Sequence, residues 1–160
     1  MRSEREVNHA IELYSDMIMR ICMVNLKNHS DSEDIFQNVF LKYATSSQVF
    51  ESEEHEKAWF IRITMNACKD LLRNFFRSHT VTIDDVMAST IGVKDESREV
   101  INAVLSLPSK YRDVVYLHYY EGYTASEIGS ILNINVNTIY TLLNRAKKLL
   151  RELLGGEEDE

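Results

Sequence analysis

The chain has 160 residues, 44% of them hydrophobic and 27% charged, which suits one ordinary domain or two small ones and excludes a disordered chain. A formal net charge of -7 argues against a protein that coats nucleic acid indiscriminately, because non-specific affinity comes mainly from neutralising phosphates. One Pro and five Gly among many Leu, Ile, Val, Glu and Lys argue against a strand-and-turn sandwich, so the expected fold class is all-α.

The opening, MRSEREVNHAIELYS, lacks the apolar core of a signal peptide. No apolar run reaches the roughly 18 residues that cross a bilayer, so stable membrane insertion is not expected and the expected location is the cytoplasm. Val7, Ile11, Leu13, Tyr14, Met17, Ile18, Ile21, Cys22, Val24 and Leu26 recur at three- and four-residue steps, predicting a helix over 5–28 with a wide buried face. After NHSDSED, Asp31 or Ser32 is the expected cap of a second helix that runs to Tyr43 or Ala44. TSSQVFESEEHE reads as a loop.

A third helix is expected from Glu56 to Phe76, with Trp59, Phe60, Ile63, Ala67, Leu71 and Leu72 on its apolar side. Residues 78–97 are polar and read as a flexible linker. REVINAVLSL is helical, Pro108 forces a restart, and SKYRDVVYLHYYEG forms a further helix that Gly122 ends. Two small helical domains are therefore expected, a three-helix domain over 1–77 and a four-helix domain over 98–156, followed by an acidic tail at 157–160.

EGYTASEIGSILNINVNTIYTLLNRAKKLL carries a helix-turn-helix pattern. Thr124 and Glu127 have capping-box spacing, and Gly129 permits a close approach of two helices. NIN at 133–135 supplies the turn. The last helix buries Ile139, Leu142, Leu143, Ala146, Leu149 and Leu150, leaving Asn137, Thr138, Tyr140, Thr141, Asn144, Arg145, Lys147, Lys148 and Arg151 outward. That face is polar first and cationic later, the order in which a recognition helix meets base edges and phosphates. An amphipathic helix with merely solvated cations has the same pattern.

A second constellation is Trp59 with Arg62, Asn66, Lys69 and Arg73, which suits stacking on unpaired bases and holding their phosphates; a lone Trp on an apolar stripe is more often a core residue. A third is SEDIFQNVFLKYA, where Asp34, Gln37, Asn38 and Leu41 lie near Phe36 and Phe40. This is either a docking face for a partner helix or a plain helix flank. Cys22 and Cys68 have no ligand spacing and read as reduced core thiols. No catalytic group, metal cluster or cofactor loop stands out, so neither an enzyme nor a bound cofactor is expected.

In this order the stretches resemble the extracytoplasmic-function sigma factors of bacterial RNA polymerase, within the sigma-70 family. SEDIFQNVFLKY is similar to the family's polymerase-binding helix, AWFIRITMNACKDLLR to its minus-ten helix, and LPSKYRDVVYLHYYEGYTASEIGSILNINVNTIYTLLNRAKKLLR to its carboxy-terminal helix-turn-helix. The resemblance implies an initiation factor that binds core polymerase, selects promoters and assists melting.

It further implies that Asp34, Gln37, Asn38, Phe40 and Leu41 form or support the face that docks on the clamp of the largest subunit, and that the second domain meets the flap of the second-largest. Asn66 would lie at the pocket for a flipped base, with the loop before Trp59 closing over it and Arg62, Lys69 and Arg73 in support. Asn137, Thr138, Tyr140, Thr141, Asn144, Arg145 and Lys148 would face the minus-thirty-five element. Many relatives are held inactive by an anti-sigma factor. Asn38 stands where an acid is usual, Asn135 and Asn137 replace a common Pro and Gly, and Tyr140 and Leu142 replace frequent basic residues, so promoter preference does not transfer. The alternative is a stand-alone helix-turn-helix regulator that reads half-sites as a dimer.

Overall fold

A computed structural model describes residues 1–78 and 96–155, side chains excepted at 75–78 and 96–98. The chain divides into two units, Met1–Ser89 and Thr90–Glu160. Residues 79–95 of the expected linker, and the acidic tail, lie outside the described residues. The fold is all-α, with no strand among the described residues.

The first unit packs α1 (Glu4–Leu26), α2 (His29–Thr45) and α3 (Glu53–Ser78) against one another. Ser3 caps α1 by accepting from the Glu6 N–H, and the left-handed Lys27 (φ 55°) ends it. The cap of α2 is Asn28, whose Oδ1 accepts from the Asp31 N–H at 3.0 Å, and not Asp31 or Ser32 as expected. The left-handed residue at 27 reverses the chain early, so Ser32 already lies inside the helix, buried, its hydroxyl donating to the Asn28 carbonyl at 2.7 Å.

The core joins Tyr14, Ile18 and Ile21 of α1 to Val39, Phe40 and Tyr43 of α2 and to Phe60, Ile61, Met65 and Cys68 of α3. Two expectations shift here. Leu13 is exposed, narrowing the buried arc of α1, and α3 buries a stripe rotated from the expected one, leaving Trp59, Ile63 and Ala67 half-buried. The rotation is possible because Thr64, polar and omitted from the apolar count, is fully buried with its hydroxyl returned to the Phe60 carbonyl at 2.6 Å. Cys22 and Cys68 are buried free thiols.

The second unit holds α4 (Glu96–Ser106), α5 (Ser109–Val115, continued by a π turn at Tyr116–Tyr120), α6 (Ala125–Leu132) and α7 (Val136–Leu153). Pro108 starts α5 and Gly122, at φ +81°, permits the turn after it. The buried Arg112 reaches back to the end of α4, donating to the carbonyls of Leu105 and Leu107 at 3.3 and 3.2 Å. Cationic donors are suited to those terminal carbonyls. Leu107, Val115 and Ala146 form a buried cluster, against which Leu149 and Leu150 pack half-buried.

Candidate nucleic-acid interface

The helix-turn-helix is built by local chemistry. Thr124 Oγ1 accepts from the Glu127 N–H at 3.1 Å while Glu127 Oε1 accepts from the Thr124 N–H at 2.9 Å, completing the capping box. The bond to the Thr124 backbone is the main cause that holds the Glu127 carboxyl below its ordinary value. Asn133 ends α6 in the left-handed region at φ 57°, and Asn135 caps α7 through the Asn137 N–H at 2.8 Å. Of the two asparagines that stand in place of the family's Pro and Gly, Asn135 thus supplies the cap of α7, while the turn residue is Asn133.

On α7 the buried side chains are Ile139, Leu142, Leu143 and Ala146. Asn137, Thr138, Tyr140, Thr141, Asn144, Arg145 and Lys148 are all exposed. At about 100° per residue the two sets occupy opposite sides of the helix. Every residue expected to face duplex DNA is therefore brought onto one outward surface, with Tyr140 55% exposed. Lys147 lies 6.0 Å from the ring of Tyr119, on the π turn, so an exposed aromatic that sequence periodicity does not mark flanks this face.

On α3, Trp59, Arg62, Asn66, Lys69 and Arg73 recur at steps of three and four and share about 80° of arc. Arg62, Asn66 and Arg73 are exposed; Lys69 is half-buried, and Arg73 lies 3.7 Å from Asp70. Trp59 is half-buried in an aromatic cluster, with ring centroids 5.1 Å from Phe60, 5.7 Å from Phe50 and 5.9 Å from Tyr43. It belongs both to the core margin and to the cationic stripe.

The loop between α2 and α3 is tied down by residues that no local pattern marks. Glu56 accepts from Tyr14 at 3.0 Å and from Tyr43 at 2.8 Å, joining all three helices through one carboxylate. Burial first, and then these bonds, push the Tyr43 hydroxyl up to about 12 and raise Tyr14 further still. Arg2 packs its guanidinium 4.2 Å from the Tyr43 ring centre and donates to the Tyr43 carbonyl at 3.0 Å. It also donates to the Gln48 carbonyl inside the loop.

On α2, Asp34, Gln37, Asn38 and Leu41 are exposed on one face, Leu41 to 63% despite being apolar. Phe40 instead turns inward, 5.4 Å from Phe60, and supports that face from beneath. Among the described residues no group of three His, Cys, Asp or Glu is placed to hold a metal ion. None of the described helices is long and apolar enough to cross a membrane.

Residues 10–75 match the family model described as Sigma-70 region 2, and residues 97–150 the one described as Sigma-70, region 4. The chain belongs to the sigma-70 family. Similar curated proteins include the ECF RNA polymerase sigma factor SigW of Bacillus subtilis, 29% identical over 90% of this chain and 86% of that protein. The RNA polymerase sigma factor SigV of the same organism is 28% identical over 87% of this chain and 85% of its own length. Among solved structures, the sigma factor RpoE from Bartonella quintana, crystallised in complex with the anti-sigma factor NepR, aligns with a TM-score of 0.74 at 19% identity. That alignment covers 96% of this chain and 99% of RpoE, and shows the shared fold. The sigma-70 regions thus coincide with the α1–α3 unit and the helix-turn-helix unit.

Proposed function

We propose that this sigma factor joins core RNA polymerase, brings it to defined promoters and assists strand opening, while the polymerase carries out all the chemistry. The observation that carries the reading is that both family regions occur in order, each with its cationic or polar face turned outward. In it, the unit over 1–77 docks on the clamp of the largest subunit through Asp34, Gln37, Asn38 and Leu41, with Phe40 in support. Asn66 receives an unpaired base of the minus-ten element, and Trp59, Arg62, Lys69 and Arg73 hold the strand around it. The unit over 98–156 meets the flap of the second-largest subunit and reads the minus-thirty-five duplex through α7. An anti-sigma factor, as bound to RpoE in the related structure, is the expected regulator.

The net charge of -7 fits this division of labour. A negative body repels free DNA, and two weak contacts gain strength only when polymerase presents both to one promoter. Fluorescence anisotropy at physiological salt tests it: the isolated protein is expected to bind promoter duplex weakly and without selectivity, and the holoenzyme to bind it selectively. Tight, selective binding of a dimeric free protein to a palindrome would instead establish a stand-alone regulator.

A further inference from the structure

The geometry points to Arg2 as a positioning residue that holds the Ser46–Ser52 loop in the shape that receives an unpaired base of the promoter strand. The inference rests on the initiation reading above and concerns a residue outside both matched regions.

Arg2 makes contacts with the last turn of α2 and with the middle of the loop. At the near end it reaches two carbonyls of the last turn of α2, of which that of Tyr43 also accepts from the Ser46 N–H at 3.2 Å. Its backbone N–H donates to Ala44 at 2.9 Å, and its Nε to Tyr43 at 3.0 Å. Within the loop its Nη2 donates to the Gln48 carbonyl, and its guanidinium lies 5.2 Å from the Phe50 ring centre as well as 4.2 Å from that of Tyr43. Glu6, at 3.4 Å from Nη1, orients the remaining edge. The side chain is only 12% exposed, so these are packed contacts and not the loose pairing of a surface cation.

What the clasp controls follows from what it touches. Phe50 stacks near Tyr43 and meets Trp59 edge-on, so the placement of Phe50 sets one wall of the aromatic cluster beside the Asn66 stripe. Gln48 and Val49 are exposed, Val49 to 81%, on a backbone fixed from within. A loop that must close on a flipped base meets a lower ordering cost if it is already held. Lys cannot replace the fork, because it keeps the charge but neither spans two carbonyls nor stacks as a plane on two rings.

The test uses holoenzyme assembled with wild type, Arg2→Ala or Arg2→Lys. Promoter opening is followed by 2-aminopurine fluorescence on duplex templates, and holoenzyme affinity by gel shift on pre-melted templates with an abasic site placed at each minus-ten position in turn. Arg2→Ala is expected to lower opening about tenfold, the size of a lost charged hydrogen bond, while co-elution with core polymerase is unchanged. At one position the abasic template should cost the wild type what Arg2→Ala already lacks, so the two losses fail to add there and add elsewhere. Arg2→Lys should give a smaller loss with the same positional signature, and serves alone if Arg2→Ala does not fold. Losses that add at every position, or unimpaired opening, would overturn the role of Arg2. A wild type that opens no promoter would overturn the initiation reading itself.

Discussion

Gly129 and Ile134 bring the two helices of the helix-turn-helix into backbone contact: the Ile134 N–H donates to the Gly129 carbonyl at 2.9 Å, and a Cβ added to Gly129 would lie 2.7 Å from the Ile134 carbonyl oxygen. Backbone cannot yield as a flexible side chain does, so α6 and α7 would have to separate. Gly129→Ala is expected to destabilise the second unit by about 2 kcal/mol through this overpacking. Thermal melting followed by circular dichroism checks it, and an unchanged midpoint would show that the turn relaxes freely.

The capping box gives a prediction in acid. The carboxyl of Glu127 is held below its ordinary value of 4.5, so its contribution is complete above pH 4.5 and is lost as pH falls below it. Glu127→Gln keeps the bond back to Thr124 but does not titrate, so its melting temperature should fall less than that of the wild type between pH 5 and pH 3. Equal slopes would remove Glu127 from the acid response. Thr124→Ala should cost about 1 kcal/mol at neutral pH.

Glu56, Tyr14 and Tyr43 give the opposite sign in alkali. Both hydroxyls hold their protons more firmly in the folded chain than the ordinary 10.0, Tyr43 up to about 12. The stabilisation is therefore complete below pH 10 and is lost as pH rises through 10 toward 12, as the unfolded tyrosines ionise first. Tyr43→Phe should flatten that loss in pH-dependent urea titrations. Glu56→Ala should cost about 2 kcal/mol at neutral pH by leaving the Tyr43 hydroxyl without its acceptor and Tyr14 with only the Glu53 carbonyl at 3.2 Å. A Glu56→Ala chain as stable as wild type would mean that the carboxylate does not join the helices.

What could be read from residue order was whatever short-range chemistry determines. Thr124 with Glu127, the small Gly129, the turn at Asn133 and the outward face of α7 depend on neighbours within a few positions, and the helical period places them. Thr64 carries no apolar signal, although the bond to the Phe60 carbonyl one turn earlier lets its hydroxyl be buried, and the α3 stripe is rotated accordingly. Asn28 was missed as a cap because Lys27 adopts a left-handed conformation that favours glycine. Arg2 and Glu56 carry no local signal, since their partners lie tens of residues away. Phe40 looks like the exposed Leu41 beside it, and only the packing of α2 on α3 separates the core from the outer face.

The proposed roles separate by substitution. Asn66→Ala is expected to impair promoter opening while sparing polymerase binding, read by strand-separation fluorescence beside co-elution. Equal opening would exclude Asn66 from strand capture.

On α7, Arg145→Ala should cost about 1 to 3 kcal/mol and relax preference at one promoter position if Arg145 reads a base. Lys148→Ala should weaken all sequences alike and lower the salt dependence, as a phosphate contact does. Selection of bound sites from a random library distinguishes these outcomes. Uniform weakening by Arg145→Ala would reassign that residue to the phosphate backbone.

The most direct measurement is run-off transcription with purified core RNA polymerase on a library of promoter fragments, with and without this protein. The account predicts transcripts that start at defined positions, share a two-part upstream sequence and depend on the added chain. The same pattern of starts with and without it, or none on any template, would contradict it.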